Sequence, residues 1–303
     1  MSASVLFDAP GPRGRLRNHA LTVIGVLLVA AVLYGIYTGF DAKGQWEGKI
    51  WQPFLEWHTW ELYIIPGLIG TLEAAAVAAV LALVFGAVFG LARLSDHAWV
   101  RIPAGAVVEV FRSIPLLLLI FFIFYLAPML MGGGDYAFMA VVLGLMLYNG
   151  SVLAEVVRAG VLSVAKGQSE AAYAVGMRKN QVMRLVLLPQ AVTAMMPAIV
   201  SQLVVLLKDT ALGYIIAYVD LLNTGFKILP AVFFGSLIPA AIVIGIIYVA
   251  LNMALSYFAT WLEGRSRRSR KTAAAPVAPP NAAGVAAGLG AKGGGVPPDS
   301  GAD

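Results

Sequence analysis

Polar side chains are scarce in this 303-residue chain, and the few that interrupt its apolar runs are the ones with chemistry to perform. Lys208, Asp209 and Thr210 stand together at the end of a long apolar run and supply a cation, a carboxylate and a hydroxyl. A charge inside a membrane span costs about 2.5–3.5 kcal/mol or more, so each is a functional suspect. The Lys208 ammonium can attract and hold a carboxylate in a pathway, with Thr210 as a nearby donor. Alternatively, Lys208 and Asp209 sit at an interface and cap a broken helix, since adjacent residues need not point the same way. Glu109 and Arg112, at i and i+3, can pair on one helix face, and Arg112 and Ser113 lie just before Pro115. A proline there bends or unwinds a span, and a discontinuous helix exposes backbone groups that bind zwitterions. Asn149, Ser151 and Glu155 can hydrogen-bond across helices or line the same path.

All of this is binding chemistry. The chain has no cysteine, hence no disulfide, thiolate metal site or cysteine nucleophile. Its three histidines, His19, His58 and His97, fall outside span centres and form no ligand cluster. Neither a Gly-x-Ser-x-Gly elbow nor a His-Glu-x-x-His pair occurs, and no Gly-x-x-x-x-Gly-Lys-Ser/Thr loop is present to hold ATP. The expectation is a non-enzyme without a cofactor of its own.

The elements that must position these residues are apolar helices. Hydrophobic residues make up 60% of the chain and charged residues 12%, about half the charge of a soluble domain. The apolar runs are continuous, which favours an all-α polytopic membrane protein over a β-barrel. Six spans are expected, at about 21–40, 64–91, 107–131, 136–154, 190–207 and 233–262. Residues 1–20 form a basic tail and 41–63 a loop rich in Trp46, Trp51, Trp57 and Trp60, a composition suited to a membrane interface or to docking a partner. From residue 263 the chain is basic, then rich in Ala, Gly and Pro, and reads as a disordered tail. With the N-terminus inside, Lys43, Lys49, Lys208 and Lys227 fall outside, and the other seventeen of the 21 Lys and Arg fall inside. That asymmetry places both termini and the 158–190 loop in the cytoplasm. It also accounts for the net charge of +5 without nucleic acid.

The 158–190 loop is the unusual feature. Ser169 can cap a short helix, Glu170 suits its positive end, and Gly176 can terminate it in the left-handed conformation. Ala171 and Ala172 give it a flat face for close packing. An amphipathic stretch follows, with Arg178, Lys179 and Arg184 on the polar side, and Pro189 breaks the pattern where the next span begins. Such a helix across the mouth of the bundle is a handle that another protein can pull.

The pattern Glu170-Ala171-Ala172, three residues, Gly176, nine residues, Val186-Leu187-Leu188-Pro189 resembles the EAA loop of ABC-importer permeases, with Val186 in place of isoleucine. "EVFRSIPLLLLIFF" (109–122), "YNGSVLAEVVRAGVLSVAKGQSEAA" (148–172) and "LVVLLKDTALGYII" (203–216) resemble segments of the polar amino-acid permeases of that class. The likeness covers residues 64–262. It implies a five-helix type I permease core, with 21–40 as an added helix in the bacterial plasma membrane. It also implies separate ATPase subunits, which bind ATP and Mg and dock on the loop through Glu170, Ala171, Ala172, Gly176, Leu188 and Pro189. A second permease, an extracytoplasmic solute-binding protein and a polar amino acid, glutamate above all, complete the implied set beside membrane lipid. The rival reading is an ion-coupled secondary transporter, which would need coupling carboxylates and usually repeated halves; no internal repeat is evident.

Overall fold

The computed structural model describes residues 11–233 and 235–273, and every regular element among them is helical. The main helices are α1 Pro12–Asp41, α2 Trp57–Ala92, α3 Ala98–Ser113, α4 Leu116–Met131, α5 Ala137–Leu162, α6 Lys166–Ala174, α7 Lys179–Ile216, α8 Leu221–Val232 and α9 Leu237–Ala273. Among the described residues five helices are long and apolar enough to cross a membrane, and the bent pair α3–α4 makes six when counted as one span. Residues 260–273 belong to a second unit, helical throughout. Residues 274–303, expected to be disordered, lie outside the described residues.

The bundle is organised around α5, the most buried of the spans. Against it lies α2, whose buried residues Ala74, Ala78, Ala82, Gly86 and Gly90 recur every fourth position. A four-residue spacing puts them on one helix face, and their small size lets two backbones come close. The approach is tight enough that a Cβ on Gly86 would meet the Leu153 Cβ at 2.6 Å and the Gly150 carbonyl oxygen at 3.2 Å. On other sides α5 is packed by α4, where Ile120 fills the space above Gly144, and by α7, where Met195 fills the space above Gly160. α1 stands apart with no buried residue. It is tied to the bundle's outer segment by a stack in which Trp46 lies between Tyr37 and Trp51 at 5.6 and 6.2 Å. The Trp46, Trp51 and Trp60 indole N–H groups donate to the carbonyls of Tyr37, Gln45 and Phe54.

Besides α1, which starts at Pro12 rather than 21, and α5, which runs to Leu162 rather than 154, four elements differ from the sequence expectation. The span expected at 107–131 is two helices meeting at 99°. Ile114 and Pro115 are extended, and the proline ring disfavours the helical region for the residue before it. α4 alone is about 24 Å long at 1.5 Å per residue, short of a hydrocarbon core. The outer loop is shorter than 41–63, since α2 already begins at Trp57. Pro189 does not break α7: the helix runs through it from Lys179, using a π-helical turn at Val182–Leu187. The same device precedes Pro66, at Trp60–Ile64, and Pro230, at Thr224–Ile228. In each case the wider turn takes in the residue four before the proline, whose carbonyl would otherwise clash with the ring and find no N–H donor. Finally, 221–232 forms its own short helix, and α9 begins at Leu237 rather than at 233.

Because the α2–α5 contact leaves no room for a side chain, Gly86→Ala should destabilise the protein by about 1–3 kcal/mol through overpacking. Gly25→Ala on α1, where nothing lies within 4 Å, should cost nothing. Thermal unfolding of both variants in detergent checks this; equal stability would show that α2 and α5 can part freely.

Candidate functional site

The handle is α6 with the turn after it. It starts at Lys166, so Ser169 and Glu170 lie inside the helix rather than at its N-terminus; the residue before the first turn is Ala165. The Ser169 hydroxyl bonds back to the Lys166 carbonyl at 2.7 Å and caps nothing. At the other end Gly176 behaves as the sequence suggests, with φ +81°. Its N–H donates to the Tyr173 carbonyl at 2.9 Å and the Met177 N–H to the Ala172 carbonyl at 3.1 Å, the paired closure of a Schellman end. Ala172 is the buried residue of α6; Glu170, Ala171, Tyr173 and Val175 are exposed. The helix is thus held by one small face while most of its surface, including apolar Tyr173 and Val175, is open. Leu188 and Pro189 stand on the first turns of α7 beyond the π turn, and the Gln190 side chain donates to that of Gln168 at 3.2 Å. Lys179 pairs with Asp96 in the α2–α3 loop. Hydrogen bonding and charge from Lys179 hold the Asp96 carboxyl below its usual range, so the pair is ionised at neutral pH and is lost only as pH falls through that lowered range.

At the same end of the bundle Arg112 and Glu155 join a network that the sequence reading did not assemble. Arg93, at the end of α2, reaches Glu155 on α5 at 2.7 Å and Glu109 on α3 at 4.0 Å. Arg112 pairs with Glu109 at 3.2 Å and Arg158 with Glu155 at 3.0 Å. Ser113 bonds back to the Glu109 carbonyl at 2.7 Å. These groups tie α2, α3 and α5 together where the charged ends meet. In the sequence Arg93 is only one of the seventeen inner basic residues; two acidic partners on separate helices are invisible until those helices are packed.

The remaining pathway candidates divide: Asn149 and Asp209 face each other between α5 and α7, while Lys208 and Thr210 lie beside α9. Asn149 is fully buried and accepts from Gln202 Nε2 at 2.6 Å. The Asp209 carboxylate faces it, beyond strict hydrogen-bond geometry. Gln202 and Asp209 are seven residues apart and share a helix face, the signal that could have found Gln202. Ser151 bonds back to the Leu147 carbonyl, a helix-internal arrangement. Thr210 is buried, donates to the Leu207 carbonyl at 2.7 Å and lies 3.4 Å from the Tyr248 hydroxyl. Lys208 turns the other way. It is exposed and lines a groove of about 640 Å3 with Tyr248, Asn252 and Ser256 of α9. Neighbouring residues do point apart: Asp209 into the helix interface, Lys208 into the groove. Tyr248, which donates to the Leu207 carbonyl at 3.0 Å, was not foreseen. Among the described residues no group of His, Cys, Asp and Glu is arranged to hold a metal ion.

Residues 78–268 match the family described as binding-protein-dependent transport system inner membrane component. The chain is 42% identical over 241 residues to the glutamate transport system permease protein GluD of Corynebacterium glutamicum, covering 78% of this chain and 88% of that one. It is 30% identical over 211 residues to the glutamate/aspartate import permease protein GltK of Escherichia coli, covering 67% and 93%. Among solved structures, an amino acid ABC transporter with histidines matches with a TM-score of 0.64 at 30% identity, over 70% of this chain and 98% of that chain.

The Arg93–Glu155 pair is the tightest inter-helix link of the network, with side chains 16% and 30% exposed. Arg93→Gln and Glu155→Gln should each cost about 1–3 kcal/mol, and the double variant should cost less than the sum. Denaturation in mixed detergent measures this; strict additivity would mean the two charges act independently.

Proposed function

The chain belongs to the binding-protein-dependent transport system inner membrane component family, and on that footing we propose that it is a permease subunit of an ATP-driven amino-acid importer that carries L-glutamate. The observation that supports this most is the handle. α6 is a short helix with nearly all of its surface open and a Schellman end at Gly176. It is joined by a turn to α7, whose first residue, Lys179, pairs with Asp96 of the α2–α3 loop. A partner that grips such a helix moves α7 with it. In this reading the partner is an ATPase subunit that binds ATP and Mg itself. In this reading both termini and the handle face the cytoplasm, which the distribution of Lys and Arg supports. A second permease subunit and an extracytoplasmic solute-binding protein complete the importer. The mechanism is alternating access, with α7 shifting as the ATPases close and open.

Glutamate rests on the names of the relatives together with one feature of the chain. Lys208 is exposed in a groove and pairs with no carboxylate among the described residues. An ammonium so placed complements a carboxylate of the substrate. Asp209, turned to Asn149, leaves that positive charge uncompensated.

The test is ATP-dependent uptake of labelled glutamate into proteoliposomes carrying this chain, its partner permease, the ATPase and the binding protein. Uptake that only glutamate and aspartate block is the expected result; block by glutamine or arginine would retire glutamate but keep the importer. Gly176→Asp forces a side chain into a left-handed backbone at a cost of about 1–2 kcal/mol, and should abolish uptake while the protein still inserts. Lys208→Gln should raise the apparent KM about tenfold, the loss of one charged hydrogen bond. Wild-type uptake by either variant would remove the corresponding role.

A further inference from the structure

A cavity of about 290 Å3 lies between the α2–α3 loop and the first turns of α7. Its walls are graded. Asp96 and His97 stand on the α2–α3 loop and Lys179 at the start of α7; Met183, Arg184 and Leu188 follow along α7, and Leu91 is on the last turn of α2. Charged groups at the loop end and apolar ones along the two spans follow the order of a phospholipid, headgroup toward the loop and acyl chains along the helices. A free inorganic anion would leave the apolar half wet.

Charge narrows the choice. Lys179 is taken up by Asp96, whereas Arg184 forms no ion pair among the described residues. One unmatched guanidinium remains, and its planar fork fits a phosphodiester. The cavity sits beside the end of α2 at Ala92, after an apolar helix long enough to cross a bilayer.

From these features we propose that the cavity is a binding site for one anionic phospholipid, held through its phosphodiester by Arg184. The assignment rests on the reading that this end of the bundle lies at the inner leaflet. One wall belongs to the α2–α3 loop and the other to the helix that follows the handle. A bound lipid therefore braces the start of α7 against the bundle, alongside the Lys179–Asp96 pair.

The experiment is native mass spectrometry of the detergent-solubilised full chain with phosphatidylglycerol, with phosphatidylcholine, and with phosphatidylglycerol plus millimolar inorganic phosphate. The wild type should retain phosphatidylglycerol in preference to phosphatidylcholine, with no displacement by phosphate. Arg184→Gln should weaken that retention about fivefold, the worth of one basic residue at an anionic surface. Arg184→Lys should keep part of the preference, and Lys166→Gln, outside the cavity, should keep all of it. Equal retention by wild type and Arg184→Gln, or displacement by inorganic phosphate, would overturn the proposal. Uptake is not read in this experiment, so failure of the lipid site and failure of the importer reading are told apart.

Discussion

The closeness of two backbones sets the rest of this structure. α2 and α5 touch along Ala74, Ala78, Ala82, Gly86 and Gly90, and at Gly86 even one added carbon would collide with the Leu153 side chain. In an apolar solvent, burying one more leucine brings little, because lipid offers it the same surroundings; contact area between well-fitted backbones is what holds such helices. Once α2 and α5 are fixed, α4 and α7 fill the remaining sides of α5. Arg93 is then brought to Glu155, and Asn149 to Gln202. The charged network at one end and the buried amides further along are both consequences of that seam.

Polar groups within the bundle are handled locally wherever possible. Thr22, Thr38, Thr71, Ser151 and Thr193 each bond back to a carbonyl three or four residues earlier in their own helices. Side chains that must reach further do so where two elements need a fixed relation. Tyr218 donates to the Gly70 carbonyl, and Thr71 accepts from the Leu221 N–H, which clamps the start of α8 onto α2. Asp220 caps α8 through the Asn223 N–H at 2.6 Å.

Much of this was legible in the sequence, for physical reasons. Continuous apolar runs give spans, and the left-handed end at Gly176 follows from glycine's lack of a Cβ. Boundaries were harder. The apolar runs start at 64 and 190, after Glu61 and Arg184, whereas a helix does not end at a charge that can reach water, so α2 begins at Trp57 and α7 at Lys179. Ser169 shows the limit of local reasoning: a good capping residue is not a cap when the chain has already turned helical at Lys166. Pro189 was read as a break because proline removes a donor, but a helix can also meet that loss by widening. The Arg93 network could not be read at all, since its members are distant in sequence and meet only after packing. Lys208 and Asp209 stayed open until the structure showed them pointing apart.

The π turn at Val182–Leu187 has a consequence for geometry further along α7. A widened turn inserts one residue without adding a turn, so everything after it is rotated by about 100° relative to an uninterrupted helix. The Lys179 end is anchored to the α2–α3 loop, while Gln202 and Asp209 must meet Asn149 on α5. The extra residue sets the phase between those two appointments. Its deletion would leave the helix intact and its anchor in place, but would swing Gln202 and Asp209 off their partner and carry Lys208 away from the groove it now faces.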